Sequence, residues 1–348
     1  MSPAGSWPPA VAPPSGGPDP GVPWHYGDPH REQRMLGSGR AAVDLSHLGV
    51  VTVAGPDRLT WLHDLTTQHV STLAPGASSL ALVLSPHGHV EHELHLVDDG
   101  ERTWIVVEPG SAATLVAYLE SMRFLLRVEI DDRSTSHGVV WEQEWSADPA
   151  LPTWLVPADF AGRGRVDAGS DRGGDADKYV ADRPGSLPGR EVVLPIGEVA
   201  DRIASHDEVA GTWALEALRV AAAVPRIGLE TDHRTLPHEV GWIGPAVHLD
   251  KGCYRGQEAV ARVHNLGRPP RRLALLHLDG SDQVLPAHGD RVFVDGADVG
   301  WVGTAAWHFE EGPIATAVVR RASPVDAVAA VRTAEGDVAA SQQVVVQA

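Results

Sequence analysis

The sequence predicts a chain of mixed helices and strands that ends in a small all-β barrel. Three observations carry this. Strand-like and helix-like runs interleave between residues 48 and 145. From residue 271 onward, six strand-like runs follow one another. Between these regions, residues 226–270 are dominated by loops and dense in Gly, Pro, His and Arg.

Composition narrows the function. The chain has 348 residues, enough for two or three compact units, because single cores rarely grow past about 250–300 residues. Its net charge of −18 repels nucleic acid and anionic lipid over most of the surface. No direct nucleic-acid contact is expected, and any anionic ligand must meet a local basic patch. A single cysteine, Cys253, excludes an internal disulfide framework and fits a reducing compartment. No apolar run reaches the roughly 18 residues of a membrane span, and no signal peptide is evident. The expectation is a cytoplasmic protein without a membrane partner.

The elements follow in order. Residues 1–34, built around "PPAVAPPSGGPDPGVPW", are rich in Pro and Gly and read as a disordered tail. "LGVVTVAG" (48–55) reads as a strand. Pro56-Asp57 then opens a helix with Asp57 as cap and Leu59, Leu62 and Leu65 on one face. "LALVL" (80–84) is a buried strand, Pro86-His87-Gly88 a turn, and "HVEHELHLV" (89–97) an alternating strand. "TWIVVE" (103–108) precedes a helix over 111–126, and "RVEI" and "GVVWEQEW" add strands. Residues 161–177 read as a flexible loop. One long helix is expected over 205–224, opened by a Ser205/Glu208 capping box and closed by Pro225. "RRLALLHL", "RVFV", "DVGWVGTAAW", "IATAVV", "AVAAV" and "QQVVVQ" form the barrel, with Asp295-Gly296 as a tight turn. The expected division is a tail over 1–34, a main region over 35–266 and the barrel over 267–348.

The candidate chemistry concentrates in residues 236–272. Only two lysines stand among the 28 Lys and Arg, and one of them, Lys251, lies two residues from Cys253 in "KGCYRGQE". Gly252 and Gly256 let backbone approach a ligand closely. A neighbouring ammonium favours thiolate, the reactive form of cysteine. Cys253 is then a nucleophile, a redox sensor or one ligand to a transient metal; the alternative is an inert thiol. One thiol alone cannot hold an iron–sulfur cluster. His87, His89, His92 and His95 do not share one strand face, which weighs against a metal site. Glu216 and Arg219, three apart, read as a surface ion pair. Arg268, Arg271 and Arg272 read as a positive patch, either a solvated loop or a seat for an anionic tail. The usual nucleotide loops and a serine nucleophile elbow are absent from the sequence.

"KGCYRGQE" resembles the K-G-C-[FY]-x-G-Q-E signature of the YgfZ family of folate-binding proteins, relatives of the glycine-cleavage aminomethyltransferases. "VDLSHLGVVTVAGPDRLTWLHDLTTQHV", "LVLSPHGHVEHELHLV", "ADRPGSLPGR" and "LEALRVAAAVPRIGLETDHRTLPHEVGW" extend the resemblance over most of the chain outside 1–34 and about 161–177. It implies an α+β folate-binding aminomethyltransferase-like fold with a central cavity, plus a C-terminal β-barrel. The implied cofactor is tetrahydrofolate or a one-carbon derivative. The implied role is assembly or repair of iron–sulfur clusters in client enzymes, including tRNA-modifying ones, with those enzymes or assembly proteins as partners. On this resemblance Cys253, Lys251 and Gln257 are the reactive group and its supports. Glu239 is the expected carboxylate for the pterin. Arg219, Arg262, Arg268 and Arg271 are the expected cations for the glutamate tail. Where aminomethyltransferases carry an Asp pair after a Gly-Gly turn, this chain has His92 and Glu93 after the single Gly88. That departure argues against glycine-cleavage activity. A folate-dependent aminomethyl- or methyltransferase and a non-catalytic folate-binding scaffold are the alternatives.

Overall fold

The computed structural model describes residues 7–162 and 183–346. In chain order the elements begin with α1 (Pro29–Gly37), β1 (Ala41–Asp44), β2 (Gly49–Ala54), α2 (Arg58–Leu65), β3 (Ser78–Leu84), β4 (Val90–Asp98) and β5 (Arg102–Val107). They continue with α3 (Ala112–Met122), β6 (Glu129–Asp132), β7 (His137–Glu142), β8 (Thr153–Leu155), α4 (Ala158–Ala161), β9 (Arg190–Pro195), α5 (Val199–Ala204), β10 (Glu208–Ala210) and α6 (Thr212–Ala221). The last are α7 (Gln257–Leu266), β11 (Arg271–Leu278), β12 (Arg291–Val294), β13 (Ala297–His308), β14 (Gly312–Arg320), β15 (Ala329–Thr333) and β16 (Gly336–Val344).

The chain forms two compact units. The first comprises Met1–Val83, His92–Pro157 and Pro188–Leu215; the second comprises Leu84–Glu91, Ala158–Leu187 and Glu216–Ala348. This division differs from the expected boundary at 267, because the loop-rich stretch after 216 belongs with the barrel.

The first unit holds two five-stranded sheets, ordered β3-β4-β5-β2-β6 and β10-β1-β7-β9-β8. Alternation along β4 explains its placement. Leu94 and Leu96 enter a core with Leu62, Ile105, Leu115 and Leu119, all fully buried. Each such leucine contributes roughly 2 kcal/mol through its burial. Asp57 precedes α2 but does not cap it through its side chain. Its carboxylate instead accepts from the Arg127 backbone N (2.9 Å) and guanidinium. Helix α3 ends at Met122, short of the expected residue 126; Phe124 takes a positive φ of 46° there and lies exposed with Leu125.

Two corrections concern longer stretches. The expected helix over 205–224 is two elements. Glu208–Ala210 pairs in parallel with β1, and Gly211 separates it from α6. A Cβ at Gly211 would collide with the Trp24 carbonyl, so the side-chain-free position marks the break. Residues 22–34 are tied down rather than part of a loose tail, while most of residues 8–21 are exposed. The Trp24 ring stacks on Trp213 at 4.6 Å. Asp28 caps α1 by accepting from the Arg31 N–H at 2.9 Å. The buried Glu32 carboxylate accepts from the backbone of Tyr26 (2.7 Å) and Gly211 (3.0 Å). A Pro-rich segment buries little by itself, but two aromatic rings and one buried carboxylate are enough to tie it to an existing surface. Of the expected loop over 161–177, residues 163–177 lie outside the described residues.

In the second unit the barrel closes in the order β11-β14-β13-β12-β15-β16. Its interior is packed by residues such as Leu276, Val292, Val302, Ala317 and Val331. Asp295 and Gly296 both have positive φ, 50° and 77°, as a type I′ hairpin turn requires. Helix α7, absent from the sequence-based expectation, follows the KGCYRGQE loop.

Deleting residues 1–32 removes the Trp24 stack and the Glu32 acceptor. The melting temperature should fall by about 3 °C, as for a loss of ~2 kcal/mol in a protein of this size. Scanning calorimetry reads this directly; an unchanged midpoint would restore the picture of a dispensable tail.

Candidate functional site

The stretch from 226 to 256 has little ladder of its own, so buried ion pairs and turns position it. Helix α6 delivers Arg219, whose guanidinium is buried and takes two carboxylates. Its Nε and Nη2 donate to Glu216 at 2.9 and 2.8 Å, and Nη1 donates to Glu230 at 3.0 Å. The Glu216–Arg219 pair therefore exists, but it is not the surface pair that spacing suggested. With both carboxylates in place Arg219 has no charge left over for an anionic tail, which corrects its expected role.

Glu239 lies in the turn Pro237–Val240 and is fully buried. Arg271, at the start of β11, fills its fork. Nε donates to Oε1 at 3.0 Å and Nη2 to Oε2 at 2.7 Å. The Leu236 N–H adds a third bond at 3.1 Å. The geometry expected for a pterin is thus taken by the chain's own guanidinium. Arg271 also donates to Asp232 at 2.7 and 3.1 Å and lies over the Trp301 ring at 5.0 Å. Desolvation would raise the Asp232 carboxyl, but the Arg271 bonds outweigh it and hold the group well below the usual carboxylate range. Arg272 donates to the carbonyls of Arg321 and Ser323 at 3.0 and 2.8 Å. The expected patch of three arginines is therefore dispersed: Arg271 is neutralised, Arg272 is a backbone staple, and Arg268 is exposed. Arg262, on α7, is exposed as well.

The KGCYRGQE loop holds three predicted residues together. Cys253 is exposed, while Lys251 and Tyr254 on either side of it are buried. Gln257 is the first residue of α7, and its Nε2 donates to the Lys251 carbonyl at 3.2 Å. Gly256 takes a φ of 83°, and a Cβ there would lie 2.5 Å from the Ser85 carbonyl oxygen. The Pro86–Gly88 turn thus packs directly on the helix start, and Gly88 meets Ala259 in the same way. Arg255 donates to Glu91 at 2.9 Å from the other side of that turn. Nearby, burial pushes His238 down to about 3, with His264 adding to the effect, so its ring is neutral.

The first unit carries a separate cluster. His95 Nδ1 lies 2.8 Å from Glu191 Oε2, and Glu93 Oε1 lies 3.8 Å from its Nε2. Its ring stacks on Trp154 at 3.8 Å with planes 5° apart. Desolvation alone would lower this imidazole; the charge and hydrogen bond of Glu191, then those of Glu93, overcome it and push it up to about 10. Sequence reading kept Glu93 as a carboxylate but missed Glu191, which is 96 residues from His95. Asp232 and Glu230 were missed for the same reason: Arg271, Thr304 and Thr316, their partners, lie far along the chain and share no local pattern.

Two outcomes follow from this geometry. Glu239→Ala removes two bonds to Arg271 but leaves its Asp232 pair in place, and should destabilise the protein by about 1–3 kcal/mol, measured by urea unfolding. His95 is raised above its unfolded value of 6.5, so its contribution is complete below about pH 6.5 and is lost as pH rises towards 10. Wild-type stability should therefore fall across that window, and His95→Gln should flatten the fall. Parallel curves for the two proteins would contradict the charged-histidine assignment.

Known proteins resemble this chain in sequence and in fold. Residues 21–141 match the GCVT N-terminal domain family. The chain is 26% identical over 305 residues to an aminomethyltransferase of Geobacillus kaustophilus, covering 81% of this chain and 79% of that one. It is 27% identical over 273 residues to a putative chloroplastic transferase of Arabidopsis thaliana, covering 76% and 61%. The crystal structure of glycine cleavage system aminomethyltransferase T from Bartonella henselae matches with a TM-score of 0.69 at 19% identity, over 93% of this chain and 90% of that one. No helix among the described residues is long and apolar enough to cross a membrane. The chain therefore has the α+β fold of the aminomethyltransferases with a closed C-terminal barrel, and over residues 21–141 it carries the pattern of the GCVT N-terminal domain.

Proposed function

We propose that this chain is a tetrahydrofolate-binding accessory protein that serves assembly or repair of iron–sulfur clusters in client enzymes, tRNA-modifying ones among them, through Cys253. One observation carries the proposal. The only cysteine is displayed at the surface of a loop whose flanking residues, Lys251 and Tyr254, are buried. An exposed thiol on a fixed loop can reach a partner protein; a thiol kept for packing would be inside.

The folate part rests on the fold shared with aminomethyltransferases. The residues fit the ligand in part. Exposed Arg262 and Arg268 suit the carboxylates of a glutamate tail in an otherwise acidic chain. Glu239 does not suit the pterin, since Arg271 fills its fork. Bound tetrahydrofolate would supply one-carbon chemistry. The chain's own part is to hold the tail and to present the exposed thiol. Lys251 contributes positive charge in the same turn, and Gln257 holds the turn closed. A folate-dependent aminomethyl- or methyltransferase is the second reading, favoured by the names of the relatives and by the Glu93 carboxylate kept beside His95.

The test is complementation. Extracts lacking this protein should lose activity of iron–sulfur enzymes, wild type should restore it, and Cys253→Ala should not, while binding tetrahydrofolate with unchanged affinity by calorimetry. Full restoration by Cys253→Ala would sink the accessory role. Turnover of a methylene donor by wild type would move the assignment to the transferase.

A further inference from the structure

Arg272 stands at the start of β11 on its inward-facing register. It shares parity with Ala274, Leu276 and Leu278, which line the barrel interior, and it pairs with Val319 of β14, also inside. The segment between β14 and β15 joins strands that are not neighbours in the barrel, so it passes over this end of it. Two side chains hold it there. Gln342 of β16 donates to the Ala327 carbonyl at 2.8 Å. Arg272 donates from Nη1 to the Arg321 carbonyl at 3.0 Å and from Nη2 to the Ser323 carbonyl at 2.8 Å.

These bonds leave the guanidinium short of partners. It has five N–H donors, and the two carbonyls take two of them. Arg272 is 8% exposed, and its Nε is buried without an acceptor. Among the described residues no carboxylate pairs with it; burial and the like charge of Arg321 both weaken its hold on the proton. Ser323 is also 8% exposed, and its buried Oγ finds no partner either. A buried cation ordinarily keeps a counter-ion, and a buried donor an acceptor. Here both unpartnered groups stand at one turn, since the carbonyl of Ser323 already holds the guanidinium.

We propose that Arg272 and Ser323 form a seat for a tetrahedral oxyanion, either free phosphate or the phosphoryl end of a larger molecule, at this end of the barrel. The guanidinium supplies the countercharge and N–H groups for two oxygens, and the Ser323 hydroxyl donates to a third. A carboxylate carries only two oxygens and would leave the hydroxyl as it is. The turn over the guanidinium also supplies the hydroxyl, so an anion enters by lifting residues 321–323 and fixes them once seated. This is not the seat considered for a folate tail, because Arg262 and Arg268 are exposed and Arg272 is buried. The inference stands apart from the roles of Cys253 and folate.

Calorimetric titration of the full chain with inorganic phosphate, at constant ionic strength, reads the seat. One phosphate should bind per chain, with a Kd of about 1 mM. Ser323→Ala should weaken it about tenfold, the usual worth of one hydrogen bond to a charged group. The same variant should melt no lower than wild type without phosphate, because its hydroxyl has no bond to lose. Arg272→Met should abolish binding. Arg272→Lys, which keeps the charge without the fork, is the second variant if methionine fails to fold, and should weaken phosphate about tenfold or more. Methyl phosphate separates the two sources: binding as tight as phosphate points to a phosphorylated molecule, and exclusion points to the free ion. No saturable binding by about 50 mM phosphate would overturn the proposal. So would an affinity unchanged in both Ser323→Ala and Arg272→Lys, or acetate binding as tightly as phosphate.

Discussion

The loop-rich segment after α6 is held by buried carboxylates, and Glu230 is the clearest case. It is fully buried and makes four bonds. Oε2 accepts from Arg219 Nη1 at 3.0 Å and the Arg226 N–H at 2.8 Å. Oε1 accepts from the Thr304 and Thr316 hydroxyls at 2.7 and 2.6 Å. One side chain thus ties α6, the following loop and barrel strands β13 and β14. Gly303 leaves room for it: a Cβ there would lie 2.6 Å from Oε1. Glu239 repeats the device one turn later, against Arg271. Such pairs are weak evidence for net stability, because desolvation offsets much of their attraction. They do specify geometry, since any other arrangement strands a buried charge.

That constraint redistributes the cations of the chain. Of the arginines that sequence reading offered to an anionic ligand, Arg219 and Arg271 are consumed by internal carboxylates. Arg262 and Arg268 are outside. In a chain with a net charge of −18, those two exposed side chains are the candidates with charge to spare. A ligand tail held there would meet the protein next to α7, whose first turn follows the Cys253 loop. The anion-holding and thiol-bearing features are then neighbours in sequence as well as in the same compact unit.

Periodicity made the strands legible and left most side-chain partners invisible. "RRLALLHL" and "RVFV" coincide with β11 and β12, because half-buried strands of a barrel alternate or run apolar in a way that a window of eight residues captures. Asp295-Gly296 was legible because few residue pairs accept positive φ twice. The helix over 205–224 was misread because "DEVAG" carries an acid at the right offset for a capping box. Gly211, with Trp24 against it, shows where the strand ends and the helix starts. Helix α7 went unseen because its start is a left-handed glycine rather than a Ser, Thr or Asp cap. Glu239 was read as a ligand group because its true partner, Arg271, is 32 residues away. Arg219 was misjudged for the opposite reason. Its neighbour Glu216 was visible, but nothing local reveals that Arg219 is buried or that Glu230 joins the pair.

The surroundings of the cysteine are local, and Cys253 is exposed in a turn whose flanking residues are fixed. A lysine two residues before a lone cysteine, with glycines spaced around both, suggested a turn built for access. The structure adds how such a turn stays in place without a ladder. Gly256 has no Cβ, so the chain passes against the Ser85 carbonyl and turns directly into α7. Gln257 closes the turn onto residues 251 and 254, and Arg255 anchors it to Glu91. Every residue from 254 to 257 makes a contact that fixes it, as does Lys251. Rigidity at both ends and exposure in the middle are what a thiol needs if it is to meet another macromolecule in one orientation, because an ordered loop loses little further entropy on docking. A mobile loop would present the same sulfur at a larger entropic cost.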